Sequence, residues 1–375
     1  MSLSLPADPP RSRSLTGVVT QTIAALSGES DWLAPARSAI VFVVDGLGSH
    51  NLAARRGHAR FLSSAGGRRD IARTVFPSTT AAALTSLLTG TDPGVHGIVG
   101  YRARVPGTRT APNQLHGWET DGLDPHTWQR SRPLLEQRVD AGHPCFVVSR
   151  PAYAGTGFTE ATLRGAELVS SNDIDERVRL AADLAARHAG ALVYLYAPEL
   201  DTAGHRDGWE SDRWTDALET VDTAARRLAE SIDAGTGVLV TADHGMVDVP
   251  AHKHVLLRDG DELLDGVDLL GGEPRMLHLY ADEGRADAVA AAWKAREASR
   301  AWVLTRDEAI EAGLFGRVDD EVRERIGDVV VAARGRFADY DDREADKRPQ
   351  RMIGQHGSLT EEERTVPLLR LGAFA

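Results

Sequence analysis

Residues 38–48 read Ser-Ala-Ile-Val-Phe-Val-Val-Asp-Gly-Leu-Gly. A continuous run of β-branched and aromatic residues, without polar alternation, predicts a strand covered on both faces, as in a parallel sheet. An acid and two glycines end the run, which places Asp45 just past the strand's carboxyl end. Three more runs repeat the pattern: CFVVS after Pro144, LVYLY after Ala191 and VLVTA after Gly237. Helical stretches over Thr80–Leu88, Asp175–His188 and Trp209–Ile232 separate them. Strands alternating with helices predict a doubly wound α/β fold with a mostly parallel sheet flanked by helices. Function in such sheets gathers beyond the carboxyl ends of the strands. Asp45 and Asp243 both fall there.

Working outward, residues 1–37 are polar with Pro and Ser clusters and one helical candidate, Gly17–Leu26, and are expected to form an arm on the body. Residues 38–246 and 346–375 are expected to make the catalytic core. Residues 247–345 differ: MLHLYAD after Arg275 reads as a strand, Arg285–Ala298 as a helix and WVLT after Ala301 as a strand, so a smaller inserted α+β subdomain is expected. The core resumes near Gln355-His356-Gly357, and Val366 opens a late strand.

The chain has 375 residues, 42% apolar and 26% charged, with a net charge of -12. This composition excludes a wholly disordered chain. The acidic balance argues against a dedicated nucleic-acid binder, because phosphate backbones repel it. It leaves room for a small phosphate ester, since a local cation outweighs distant net charge. No apolar run is long enough to span a bilayer, and no signal peptide is read, so the cytoplasm is the expected compartment. The single cysteine, Cys145, excludes an intramolecular disulfide and cysteine-based metal sites. It lies in an expected buried strand and reads as a core residue.

Five segments carry chemistry. Asp45-Gly46 ends the first strand. FPSTTAAALTSLLTG over 76–90 puts Ser78, Thr79 or Thr80 at a helix start, where free N–H groups and the helix dipole stabilise an attacked phosphoryl group. Asp201 and His205 are four apart, on one face of a helical turn, and can grip one metal. Asp243 and His244 are adjacent at a strand end followed by glycine. His356 lies between glycine-containing turns. Each alone is more often a cap, a surface pair or a turn residue. Together they supply three Asp, three His and a hydroxyl. Carboxylate and imidazole suit Zn²⁺, with Mn²⁺ or Fe as alternatives, and six such ligands suffice for two ions about 4 Å apart.

The ordered set VVDGLG, FPSTTAAALTSLLTG, PGVHGIVG, DTAGHRDG, TADHGM and QHGS resembles the alkaline phosphatase superfamily, and within it the nucleotide pyrophosphatase/phosphodiesterase branch. The resemblance spans residues 41–358. It implies two zinc ions, one held by Asp201, His205 and His356, the other by Asp45, Asp243 and His244. It implies Thr80 as nucleophile, with Thr79 as the neighbouring alternative, and a covalent phosphothreonine. The expected partner is a small-molecule phosphate diester or nucleotide pyrophosphate. Two departures stand out. The branch places an Asn after its GIV segment to donate to a phosphoryl oxygen; here the position is Tyr101, with Asn113 as a candidate substitute. The residues before Asp201 read Pro-Glu-Leu, where the branch has Pro directly before the Asp.

A phosphomonoesterase or phosphonate hydrolase on the same metal site is the nearest alternative. A sulfatase would need a C/S-x-P-x-R motif, a cofactor-independent phosphoglycerate mutase a patterned Ser near Ser49, and a serine hydrolase a G-x-S-x-G. An inactive binding protein would show a missing ligand. His96 reads as a turn residue, and Trp118, Tyr153 and Phe158 as packing.

Overall fold

The computed structural model describes residues 4–67 and 69–375. The first long apolar run forms β1, Ser38–Val44, with every residue buried. Ile71–Arg73 is β2, Cys145–Ser149 β3, Glu167–Ser170 β4, Leu192–Ala197 β5 and Thr236–Thr241 β6. With the late strand Thr365–Gly372 they make one seven-stranded sheet, ordered β2, Thr365–Gly372, β6, β1, β5, β3, β4. The pairs β6–β1, β1–β5, β5–β3 and β3–β4 are parallel. The late strand runs antiparallel to both its neighbours. Continuous apolar runs are required here because helices cover both faces.

The outer helices among them are amphipathic. Helix Asp212–Ser231 buries Trp214, Leu218, Val221, Ala225 and Leu228, spaced three and four apart, and the Ser211 side chain caps it by accepting from the Trp214 N–H at 3.2 Å. Helix Thr80–Thr89 is buried along its whole length and stops at Gly90, whose φ of 69° suits glycine. The N-terminal helix Gly17–Leu26 sinks Val18, Val19 and Ala25 into the same hydrophobic cluster as the main sheet. It is part of that core's packing as well as a cover for it.

A second, antiparallel sheet comes from the segment after β6. Its order is Ala301–Thr305, Val329–Ala333, Met276–Ala281, Val267–Glu273. Helix Ala286–Glu297 buries Trp293 against it. A buried ion pair ties the second sheet to the segment leading into the late strand. Arg275 and Glu363 are both fully buried and make two parallel bonds of 2.7 Å, while Arg275 Nη1 also donates to the carbonyls of Gly335 and Phe337. No helix among the described residues is long and apolar enough to cross a membrane.

Candidate active site and metal centre

The strands β6, β1 and β5 are neighbours, in parallel, and their registers align Val43 with Thr241 and Val44 with Ala197. Their carboxyl ends therefore emerge side by side, and each is followed within a few residues by an acid. Asp45 follows β1, Asp243 follows β6 and Asp201 lies in the first turn of helix Glu199–Asp207 beyond β5. Gly46 makes the approach feasible. Its φ is 75°, and a Cβ there would sit 3.2 Å from the Asp201 Cα.

All six acids and histidines expected from the sequence converge, and Thr80 joins them. The Thr80 hydroxyl lies 3.0 Å from His244 Nε2. His244 Nε2 is 3.5 Å from Asp45 Oδ1 and 3.4 Å from Asp243 Oδ2. Asp201 Oδ1 is 3.3 Å from His205 Nε2 and 3.9 Å from His356 Nε2. The rings of His244 and His356 stack at 3.5 Å. Asp45, Asp243 and His244 bring donor atoms within 4.8 Å of one another, and so do Asp201, His244 and His356.

The backbone fixes what these side chains can do. The Nδ1 atoms of His205, His244 and His356 lie 2.8, 3.1 and 3.0 Å from the carbonyls of Gly354, Gly245 and Ser78. A carbonyl only accepts, so each Nδ1 carries the proton and each Nε2 presents a lone pair to the centre. His205 Nε2 and His356 Nε2 then face each other at 3.2 Å, acceptor to acceptor. The carboxylates behave alike. Asp243 Oδ1 accepts from the Gly46 and His244 N–H groups, while Oδ2 has no partner among the described residues. Asp45 Oδ1 and Asp201 Oδ1 are likewise buried and unpartnered. Three carboxylate oxygens and three imidazole nitrogens, all acceptors, point at one another. Cations resolve that arrangement, and the donor set fits zinc.

The electrostatics agree. Burial, then the charges of Asp243 and Asp201, push the Asp45 carboxyl well above its usual range, opposed by a hydrogen bond from the Tyr196 hydroxyl to Asp45 Oδ2. Burial, then the neighbouring His244 and His205, hold His356 well below the ordinary imidazole value, so it is neutral and able to ligate.

Helix Thr80–Thr89 begins at Thr80 itself, with Thr79 at the capping position making no side-chain cap bond. Its first-turn N–H groups are not used by a cap side chain. Ser78, the third hydroxyl expected at this helix start, is structural: it donates to the Ser358 carbonyl at 2.7 Å and accepts from the Gly357 N–H at 3.3 Å, tying the helix entry to the His356 loop.

Tyr101 is placed beside this region by its backbone. Its N–H donates to Glu273 Oε2 at 2.9 Å, and its hydroxyl makes no hydrogen bond among the described residues. Asn113 uses its side-chain oxygen to accept the Leu115 and His116 N–H groups, which commits that oxygen to a turn. His96 donates through Nε2 to Ser86 Oγ and accepts the Ile98 N–H at Nδ1, and burial pushes it down to about 3.

Two residues, Tyr196 and Glu273, escaped the sequence reading, while Tyr153 packs as read. Tyr196 supports Asp45. Tyr153 packs edge-on against Tyr196, and the nearby Asp45 charge, after burial, raises its pKa. Glu273, from the second sheet, lies fully buried against Gly357, where a Cβ would meet its Cγ at 2.6 Å. Burial pushes its carboxyl well up. Two tyrosines in an otherwise aliphatic buried strand were a usable signal, since a buried hydroxyl calls for a partner, and the Tyr196 hydroxyl has one. Glu273 carried none.

Comparison with known proteins bears on this geometry. The family model described as type I phosphodiesterase / nucleotide pyrophosphatase matches residues 39–359. Murine ectonucleotide pyrophosphatase / phosphodiesterase 5 in complex with AMP is similar in structure, with a TM-score of 0.69 at 19% identity over 90% of this chain and 88% of that one. Phosphonoacetate hydrolase from Sinorhizobium meliloti gives 0.68 at 20% identity over 90% and 91%. These structures share the fold, an alkaline phosphatase-like core. The six acids and histidines, Thr80 and the strand ends that carry them all lie inside the matched segment, and the chain belongs to the type I phosphodiesterase / nucleotide pyrophosphatase family.

Proposed function

We propose that the chain hydrolyses phosphate diesters or nucleotide pyrophosphates through a covalent phosphothreonine at Thr80. The observation that carries this reading is the cluster of acceptors, three Nε2 lone pairs and three unpartnered carboxylate oxygens, that the Thr80 hydroxyl joins through His244. Asp45, Asp243 and His244 would hold one divalent ion and Asp201, His205 and His356 the other, with zinc the best match to the donors. Bound there, the ions would acidify the Thr80 hydroxyl and neutralise charge on the transferred group.

The chain's own residues supply the rest. Thr80 stands at the first position of a helix, so its oxygen and the first-turn N–H groups face the same phosphoryl group. The Thr80 hydroxyl releases its proton to solvent, its oxygen forms a bond to phosphorus as the bond to the leaving oxygen breaks, and the leaving group departs with a proton from solvent. Water then attacks phosphorus, the Thr80 O–P bond breaks, and the hydroxyl is restored. Tyr101, at the position where the branch has Asn, would be the residue to supply a hydroxyl donor to the substrate.

A phosphonate substrate is the second reading. It is favoured by the similarity to phosphonoacetate hydrolase and by tyrosine at position 101. The test is turnover of bis-p-nitrophenyl phosphate, p-nitrophenyl phosphate and phosphonoacetate by zinc-loaded protein, with a chelated control and Thr80→Ala. The expected result is fastest turnover of the diester, reduced about 10³-fold or more in Thr80→Ala with unchanged metal content. Preference for phosphonoacetate would establish the second reading. Full activity in Thr80→Ala would refute the covalent mechanism.

A further inference from the structure

A cavity of about 310 Å³ lies where the N-terminal segment crosses β2, behind the strand that leads to Thr80. Its walls carry four guanidinium groups, Arg11, Arg13, Arg73 and Arg364, against two acids, Asp8 and Asp92. In a chain of net charge -12 this is a local excess of positive charge, of which Arg73 Nη1 is already paired with Glu361 and the Arg13 guanidinium lies over the Trp32 ring. Arg11 and Arg13 make no ion pair among the described residues.

The floor is built. Arg73 is 8% exposed and Thr74 1%. Backbone bonds lock this floor: the Arg73 N–H donates to the Arg13 carbonyl at 2.8 Å, and the Thr74 N–H to the Arg364 carbonyl at 2.9 Å. Yet Arg73 Nε, Arg364 Nε and the Thr74 hydroxyl are buried without a hydrogen-bond partner among the described residues. Unpartnered Arg Nε atoms recur among the described residues, at Arg55 and Arg138 for example, but here two of them and a buried hydroxyl belong to residues lining one cavity, where a ligand or water can take them. Asp8 satisfies them only in part. Its Oδ2 accepts from Arg364 Nη2 at 2.9 Å, but its Oδ1 stays 3.8 Å from Arg73 Nε. Asp8 makes no hydrogen bond to Arg73 Nε, Arg364 Nε or the Thr74 hydroxyl. A tetrahedral oxyanion presents more acceptor oxygens, in more directions, to paired guanidinium groups. Asp8 is 39% exposed at its side chain and can swing out.

We propose that this cavity is a binding site for a tetrahedral oxyanion of the phosphate class, with Asp8 as a displaceable internal occupant. The anion takes Arg73 Nε, Arg364 and the Thr74 hydroxyl, and the exposed Asp8 carboxylate moves to solvent. This site is separate from the metal centre and does not depend on the reading of that centre.

The test is equilibrium dialysis of radiolabelled inorganic phosphate against the full-length protein with its metals in place. Asp8→Ala removes the competitor and is expected to raise the affinity of one phosphate per chain about tenfold, the effect of losing one charge-assisted hydrogen bond. Arg364→Gln is expected to lose that phosphate while keeping any bound at the metal centre. Asp287→Ala makes the same charge change on an exposed helix of the second sheet and is expected to leave the isotherm unchanged. An Asp8→Ala isotherm identical to wild type overturns the proposal, with binding then confined to the metal centre. An equal shift in Asp287→Ala also overturns it, as a general charge effect. If Arg364→Gln fails to fold, the Asp8→Ala and Asp287→Ala pair decides.

Discussion

Tyr196→Phe removes one oxygen atom and keeps the ring, so it isolates the hydrogen bond to Asp45 Oδ2. That hydroxyl is the one donor to the Asp45 carboxylate among the described residues, and Asp45 Oδ1 faces the centre unpartnered. The hydroxyl therefore fixes which oxygen is offered to a cation. Supports of this kind change metal affinity by about 10–100-fold, or about 1.4–2.7 kcal/mol. The bond also lowers the Asp45 pKa, against burial and the charges of Asp243 and Asp201 that raise it. Without it the carboxyl holds its proton more tightly, and the proton competes with the metal. The loss of affinity in Tyr196→Phe should therefore grow as pH falls. The assay is competition with a chromophoric zinc chelator at about pH 6 and about pH 8. Tyr194→Phe serves as the control, because that ring stacks on Tyr196 at 6.2 Å and its hydroxyl makes no hydrogen bond among the described residues. Wild-type affinity in Tyr196→Phe at both pH values, or a deficit that shrinks as pH falls, would refute the assignment of Asp45 Oδ1 to a metal.

Two further outcomes concern stability. Glu363→Gln leaves the Arg275 guanidinium buried and uncompensated, and should cost about 3–5 kcal/mol in urea unfolding; a loss under about 1 kcal/mol would mean that water reaches the pair. Burial, then the charge of Glu297, raises Asp339 to about 7 from an ordinary 3.8. The folded state therefore binds the extra proton. The stabilisation is complete below about pH 4 and disappears as pH rises through about 7, at no more than about 1.4 kcal/mol per pH unit. Asp339→Asn should flatten that part of the stability profile, and an unchanged slope would sink the argument.

The parallel sheet was readable because a strand buried on both faces must be apolar throughout, and β1, β3, β5 and β6 are. The converging acids were readable for the same reason: each follows such a run. Direction was not readable. The apolar run after Thr365 announces a strand, but periodicity says nothing of which way it points or which strands it separates. Nor could the sequence show that His205 and His356 put Nδ1 on backbone carbonyls, because Gly354 and Ser78 come to them only through the fold. Glu273 was hidden most completely. It lies far along the chain from both Tyr101 and Gly357, and an acid in a strand reads as solvated. In the second sheet the strands Val267–Glu273 and Val329–Ala333 went unread, the first because its glycines and acids interrupt any pattern.

The late strand has a consequence for how the molecule is made. It fills the position between β2 and β6, so while the chain emerges from the ribosome the flank of β6, with Leu239 and Val240, has no strand to pair with. The whole second sheet must be synthesised before one arrives. An apolar, unpaired sheet edge of this kind invites association with other chains. β2, which leads into the Thr80 helix, waits for the same residues, because Thr365, Val366 and Pro367 are its sheet partners. The newborn chain thus leaves β2 and the flank of β6 unpaired until its last residues are made, and a chaperone that shields nascent strands would act on this protein there.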